Sequence, residues 1–296
     1  MRKKISILKK KLKRMMKTVN DLYLNGVRLL ERARVEDAAF DARVLMEHLL
    51  ETNSTGFLLS RNDTVSEKQI EIYVELIQKR SDGMPLQYIV GKWEFMGNEF
   101  YVGEGVLIPR PETEQLVEAA CEYLTDIENP MIVDFCSGTG CIAISIAKIF
   151  TNAKVYAVEK YDEAFSYLVK NIELNNVRNV VPIQGDMFDK TVIKDVVPDI
   201  ILSNPPYIRK GDISSLQTEV LKEPVTALDG GADGYDFYRF LCEYWFAEFL
   251  HEDTAMMVEC AEDQGDYISE MLSVYSRKTE IIRDFNGLQR IVAAYK

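Results

Sequence analysis

Apolar residues recur every three or four positions between residues 18 and 84: Leu22, Val27, Leu29 and Leu30, then Val44, Leu45, Leu49 and Leu50, then Ile70, Tyr73, Val74 and Ile77. That spacing places one greasy stripe on each of several helices and predicts a small helical domain over 18–84. Asn53-Ser54-Thr55-Gly56 and Asn62-Asp63 read as its loops, and Ser66 with Gln69 suits a capping box for a helix that follows. Residues 85–106 change character. Trp93, Phe95, Phe100 and Tyr101 straddle Gly97-Asn98, which predicts a β-hairpin linking two domains. From residue 107 to 296 short apolar runs alternate with helical patterns, predicting an α/β domain with strands near 131–135, 154–158, 179–184, 198–203, 254–260, 279–285 and 289–295.

The ends of these runs carry the chemistry. Met131-Ile132-Val133-Asp134-Phe135 leads into Cys136-Ser137-Gly138-Thr139-Gly140 and then a helical pattern. In such an order the glycines let the backbone approach a ligand beyond the carboxyl ends of the strands. The next run ends at Glu159, whose carboxylate suits the two hydroxyls of a ribose. The loop lacks the third glycine of G-x-G-x-x-G, and Cys136 stands in place of the first, so a nucleoside fits better than a dinucleotide. At Gln184-Gly185-Asp186-Met187 an acid can face an adenine amino group while Met187 packs on the ring; Asp186 equally suits a helix N-cap.

Asn204-Pro205-Pro206-Tyr207 closes the run over 198–203. Two prolines remove two N–H groups and fix φ, so neighbouring carbonyls face few competing donors. The Asn204 amide oxygen adds a second acceptor, and the pair matches a planar NH2 group; Tyr207 adds a flat face for stacking. A plain turn also accounts for these residue types.

Composition removes other chemistries. Five cysteines without C-x-x-C spacing exclude a disulfide framework and a zinc site, and the two histidines, His48 and His251, fall in helical patterns away from the motifs. No apolar stretch is long enough to span a membrane, and the N-terminus lacks the apolar core of a signal peptide, so a cytoplasmic location is expected. Glu223 reads as a solvated carboxylate, and no chemistry is assigned to Tyr235, Tyr238 or Phe240.

The order of these segments resembles the S-adenosylmethionine-dependent methyltransferases that act on planar nitrogens, and within them the HemK/PrmC group of protein-(glutamine-N5) methyltransferases. The resemblance runs from about residue 18 to the C-terminus. It is carried by Asp41-Ala42-Arg43, Pro85 to Gly91, Glu94-Phe95, Leu107-Ile108-Pro109-Arg110-Pro111-Glu112-Thr113-Glu114, the glycine loop, Asn204 to Tyr207, Glu223-Pro224, Ala227-Leu228 and Gln289-Arg290. Cys136 and Met187 depart from the group, which has glycine and an aromatic there. The resemblance implies a seven-stranded Rossmann-like class I methyltransferase domain behind a helical substrate-recognition domain. It also implies S-adenosylmethionine as cofactor and the glutamine of the Gly-Gly-Gln loop in class 1 peptide release factors as substrate. The 107–114 stretch would then help close the cofactor pocket. Asn204 and the Pro205 carbonyl would hold the amide nitrogen for in-line methyl transfer. An exocyclic amine of a nucleic acid, adenine-N6 or guanine-N2, is the alternative acceptor, and a non-catalytic RNA-associated role is a third.

Charge divides the chain unevenly. Its formal net charge is -12, yet the first 17 residues hold nine basic side chains and no acid, leaving 26 basic against 47 acidic residues in the remainder, a net of -21. Such a body repels polyanions. Ile5, Leu8, Leu12 and Met15 recur at helical spacing, so the tail reads either as a solvated extension or as a basic amphipathic helix near RNA, the ribosome or a membrane surface. On the RNA reading, deleting residues 1–17 abolishes RNA retention in a filter-binding assay; unchanged retention by the truncated chain rejects it.

Overall fold

A computed structural model describes residues 17–296, so the tail of residues 1–17 lies outside the described residues except for Lys17. The chain forms two compact units, one ending at Gly91 and the other starting at Lys92.

Five helices build the first unit: α1 (Val19–Arg32), α2 (Ala38–Leu50), α3 (Ser54–Ser60), α4 (Glu67–Ser81) and α5 (Leu86–Val90). Thr18 with Asp21 and Ser66 with Gln69 form capping boxes that satisfy the first N–H groups of α1 and α4. Leu22, Leu30, Leu45, Met46 and Ile77 are fully enclosed between α1, α2 and α4. Gly26 lets α1 approach α4, since a Cβ there would meet the Tyr73 hydroxyl at 2.5 Å. That hydroxyl donates to the Ala42 carbonyl at 2.8 Å, and Arg80 meets Asp41 at 2.5 Å in the same interior.

Two local expectations change. Residues 53–56 are not a loop: the Asn53 side chain accepts the Gly56 N–H at 3.0 Å and starts α3. Likewise the hairpin does not begin at residue 85, because Leu86–Val90 is a helix closed by Gly91 in the left-handed region at φ 78°. Pro85 supplies the extended residue before that turn, so its ring marks a helix start and not a strand.

In the second unit, β1 (Lys92–Phe95) and β2 (Asn98–Tyr101) pair antiparallel with Trp93 opposite Phe100. The α/β part follows as α6 (Pro111–Leu124), β3 (Met131–Phe135), α7 (Cys141–Ile149), β4 (Lys154–Glu159), α8 (Asp162–Leu174), β5 (Val180–Gln184) and β6 (Ile200–Ser203). Three short 3₁₀ turns lead to α9 (Asp236–Phe240), which continues as a π-helical stretch over Leu241–Phe249; β7 (Ala255–Glu259), α10 (Gly265–Ser273), β8 (Lys278–Arg283) and β9 (Gln289–Tyr295) complete it. His251 lies just past the π-helical stretch and not within a helix. Seven strands stand in the order β5-β4-β3-β6-β7-β9-β8, and all run in one direction except β9, which is antiparallel to both of its neighbours.

Alternation along each strand splits the core into two layers. Ile132, Val155, Ala157, Ile200, Leu202 and Met257 pack under α6, α7 and α8. Val133, Phe135, Val158, Ile201 and Val258 face Tyr238, Leu241, Trp245, Ile268 and Leu272. Trp245 is fully buried, stacks at 4.8 Å from Phe135, and donates its indole N–H to the Met187 carbonyl at 2.9 Å. It ties the second layer to the loop after β5. Trp245→Ala should therefore cost about 3–5 kcal/mol of unfolding free energy, and Trp245→Phe should cost less while freeing the Met187 carbonyl; denaturant midpoints measured by far-ultraviolet circular dichroism test both.

Candidate active site

Because β3 to β7 run parallel, their carboxyl ends open onto one edge, and a cleft of about 930 Å³ including its mouth lies there. Cys136, Ser137, Gly138 and Thr139 form its floor beyond β3, with Glu159 beyond β4, Asp186 and Met187 beyond β5, and Asn204 and Pro206 beyond β6. Gly140, Pro205 and Tyr207 do not line it. Gly140 instead starts α7 at φ 79°, where a Cβ would stand 2.5 Å from Leu168. Pro205 is buried, and Tyr207 packs half-buried against the Tyr238 and Trp245 layer, which pushes its phenol up.

The turn after β3 explains the preference for glycine at its start. Cys136 has φ 58°, a left-handed backbone that costs a non-glycine residue roughly 1 kcal/mol. The Ser137 N–H donates to the Val158 carbonyl at 3.1 Å, prolonging the β3–β4 ladder, and the Gly138 N–H donates to Glu159 Oε2 at 2.9 Å. Glu159 Oε1 accepts the Tyr161 N–H at 2.9 Å. Burial raises the Glu159 pKa, and those two backbone bonds oppose the rise. Asn171 holds the turn from behind: its amide donates to the Thr139 carbonyl at 3.0 Å and exchanges bonds of 2.6 and 3.1 Å with the Tyr101 backbone.

On the β5 side, Asp186 Oδ2 meets Lys160 Nζ at 2.7 Å while Oδ1 accepts the Phe188 N–H at 3.0 Å. No regular helix follows Asp186, so it caps a turn and not a helix. The Cys136 and Met187 sulfurs lie 3.7 Å apart, and burial pushes the Cys136 thiol well up.

Asn204 is oriented by a partner 91 residues away, since its Nδ2 donates to Thr113 Oγ1 at 3.2 Å. The Thr113 hydroxyl donates to Glu259 Oε2 at 2.6 Å. No donor among the described residues reaches the Pro205 carbonyl, whereas the Tyr207 carbonyl accepts Gln264 Nε2 at 3.1 Å. Glu223 overturns the solvated reading: only 4% exposed, it accepts the Ile108 N–H at 3.0 Å and the Arg110 guanidinium. It thereby fixes the 106–110 segment that walls the cleft. Thr113, Asn171, Glu223 and Glu259 were thus missed as site residues. Each is a polar residue whose partner lies far along the chain, and the local signal for Glu259 was only its place at a strand end.

Two carboxylates titrate far from their ordinary range. Burial pushes Asp134 up to about 8 against the opposing pull of the nearby Ser137 hydroxyl and Ala143 N–H, neither of which makes a hydrogen bond of full geometry to its side-chain oxygens. Burial pushes Glu259 up to about 7, with the Thr113 bond opposing. In both cases the native state holds its proton more tightly than the unfolded chain, so the contribution to stability is full below the ordinary carboxylate range and is lost as pH rises through 7 and 8. Thermal melts across this window should show a falling midpoint, and Asp134→Asn should flatten the fall; an unchanged slope in that variant removes Asp134 from the account.

Comparisons with known proteins identify the relatives of this chain. The PrmC N-terminal domain family matches residues 21–91, and the TRM5/TYW2 methyltransferase domain family matches residues 121–222. A release factor glutamine methyltransferase of Thermodesulfovibrio yellowstonii is 34% identical over 260 residues, covering 86% of this chain and 92% of the relative. That of Clostridium botulinum is 33% identical over 281 residues, covering 94% and 99%. Among solved structures, the T. thermophilus 16S rRNA N2 G1207 methyltransferase in complex with AdoMet and guanosine superposes with a TM-score of 0.50 at 18% identity, over 69% of this chain and 49% of that one, a likeness of fold. With identity above 30% over nearly their whole length, the chain belongs to the release factor glutamine methyltransferase family.

Proposed function

We propose that the protein transfers a methyl group to the side-chain amide nitrogen of the glutamine in the Gly-Gly-Gln loop of a class 1 release factor. S-adenosylmethionine is the methyl donor in this reading and supplies an electrophilic carbon on a sulfonium. The donor set of the cleft fits it. Each Glu159 oxygen takes one backbone N–H and keeps lone pairs for ribose hydroxyls. Asp186 and Met187 suit an adenine.

The observation that carries the reading is the orientation of Asn204. With Nδ2 committed to Thr113, its Oδ1 is left as an acceptor, and no donor among the described residues takes up the carbonyl of the next residue, Pro205. An amide nitrogen is a poor nucleophile because its lone pair is delocalised into the carbonyl. Two acceptors on its two N–H bonds hold it in place and strengthen as positive charge grows on it, which favours the transition state over the ground state. Positioning of this kind is worth roughly 7–11 kcal/mol relative to a bimolecular encounter. The proton leaves to water after transfer, so no histidine is required. Tyr207, the half-buried last residue of Asn204-Pro205-Pro206-Tyr207, supports the shape of the turn in this scheme.

The helical unit is read as the part that recognises the release factor, on the strength of its match to the PrmC N-terminal domain family. The net charge of -21 beyond the tail argues against a nucleic-acid acceptor, while the nine basic residues of the tail suit a weak contact with RNA or the ribosome. Asn204→Ala should lower kcat by about two orders of magnitude with little change in affinity for S-adenosylmethionine. Mass spectrometry of a release factor incubated with either form, compared with a factor whose glutamine is replaced, reads the outcome; near-normal turnover by the variant would falsify the assignment.

A further inference from the structure

Glu259 ends β7 with 2% exposure, and within the Asn204–Thr113–Glu259 chain each bond has a direction. A threonine hydroxyl has a single proton. Once that proton is given to Glu259 Oε2 at 2.6 Å, only lone pairs face Asn204, so the amide must present its NH2 edge to Thr113 at 3.2 Å and turn Oδ1 away. Protonation of Glu259 reverses the sequence. The acid then donates to Thr113, the hydroxyl proton is free to go to Asn204 Oδ1, and the flipped amide aims N–H groups at a substrate NH2 that needs acceptors.

The geometry points to Glu259 as a positioning residue whose ionised form, acting through Thr113, keeps Asn204 an acceptor for the substrate amide. This deepens the methyltransferase reading and rests on it.

The groups around Glu259 leave this polarity under the control of its own proton. Arg110 and Glu112 face it from the start of α6, and Arg290 from β9. Arg110 is engaged by Glu223, and Arg290 by Asp284 at 3.0 Å, so both nearby cations already have carboxylate partners. Tyr207 approaches from the loop after β6, Cys141 from α7 and Cys260 from the next position in the chain. Tyr238 donates its hydroxyl to the Glu259 carbonyl at 2.7 Å, fixing the backbone, and feels the charge of the carboxylate. Desolvation therefore dominates, and it brings the group to about 7. Near neutral pH both polarities of the chain are within reach.

Steady-state methylation of a release factor by the full chain, with both substrates saturating, tests this across roughly pH 6 to 9. The wild-type kcat should rise with pH through a single ionisation near neutrality. Glu259→Gln should lose that acid limb. Thr113→Val, which keeps the shape and removes the hydroxyl, should lower kcat about ten-fold or more with an unchanged KM for S-adenosylmethionine, and Thr113→Ser should restore it. An acid limb persisting in Glu259→Gln, or a Thr113→Val kcat within about two-fold of wild type, overturns the assignment. Should Thr113→Val not fold, the Glu259→Gln profile decides alone. Absence of methylglutamine with the wild-type chain, read by mass spectrometry, overturns the methyltransferase reading and this one with it, whereas methylation by wild type with unaffected variants overturns this one only.

Discussion

Parallel strands deliver their carboxyl ends to the same edge of a sheet, and in this molecule that constraint assembles the site. The turn after β3, Glu159 after β4, Asp186 after β5, Asn204 after β6 and Glu259 at the end of β7 come from segments spread over more than half of the second unit, yet they need no further device to meet. The strand order places β3 and β6 side by side, so Cys136 and Asn204 follow neighbouring strands, and the Ser203 hydroxyl donating to the Phe135 carbonyl at 2.9 Å locks the two ends together. The antiparallel pair β9 and β8 extends the sheet beyond β7 and brings Arg290 back toward the same edge.

Charge is then placed in this edge with different amounts of support. Glu159 is answered by two backbone N–H groups and Glu223 by an N–H and a guanidinium. Glu259 has the Thr113 hydroxyl, and Asp134 has only the nearby Ser137 hydroxyl and Ala143 N–H, neither in full hydrogen-bond geometry. A carboxylate out of water is costly unless such donors replace its hydration, so the better-served groups suit fixed binding roles and the poorly served ones are inclined to hold a proton. The same edge thus contains both permanent acceptors and groups that can change state.

Residues at strand ends were legible because periodicity locates the end of a strand and residue type then limits what can stand there. Cys136 to Thr139, Glu159, Asp186, Met187, Asn204 and Pro206 were found in this way, and all of them line the cleft. Local patterns say nothing about a partner chosen across the fold. Thr113 meets Glu259 over 146 positions and Ile108 meets Glu223 over 115, so neither pairing leaves a trace in a short window. Glu223 looked solvated for that reason, since nothing nearby in the chain announces the Ile108 N–H and the Arg110 guanidinium that meet it. The helix over Leu86–Val90 escaped notice because five residues are too few to show a period, and the aromatic residues that follow pulled the expected hairpin too far upstream. Nothing in the run Leu241–Phe249 distinguishes its wider helical winding from an ordinary helix.

The clasp between Glu223 and the 106–110 segment has a mechanical side. One rim of the cleft is sewn to a stretch more than a hundred residues downstream, with the acidic half of the stitch hidden from the solvent. Dissolved salt cannot easily reach such a stitch. Widening the cleft on that flank means displacing peptide, not merely swinging side chains, so traffic of a nucleoside-sized guest would be paced by the opposite lip, where Lys160 and Asp186 meet in the open.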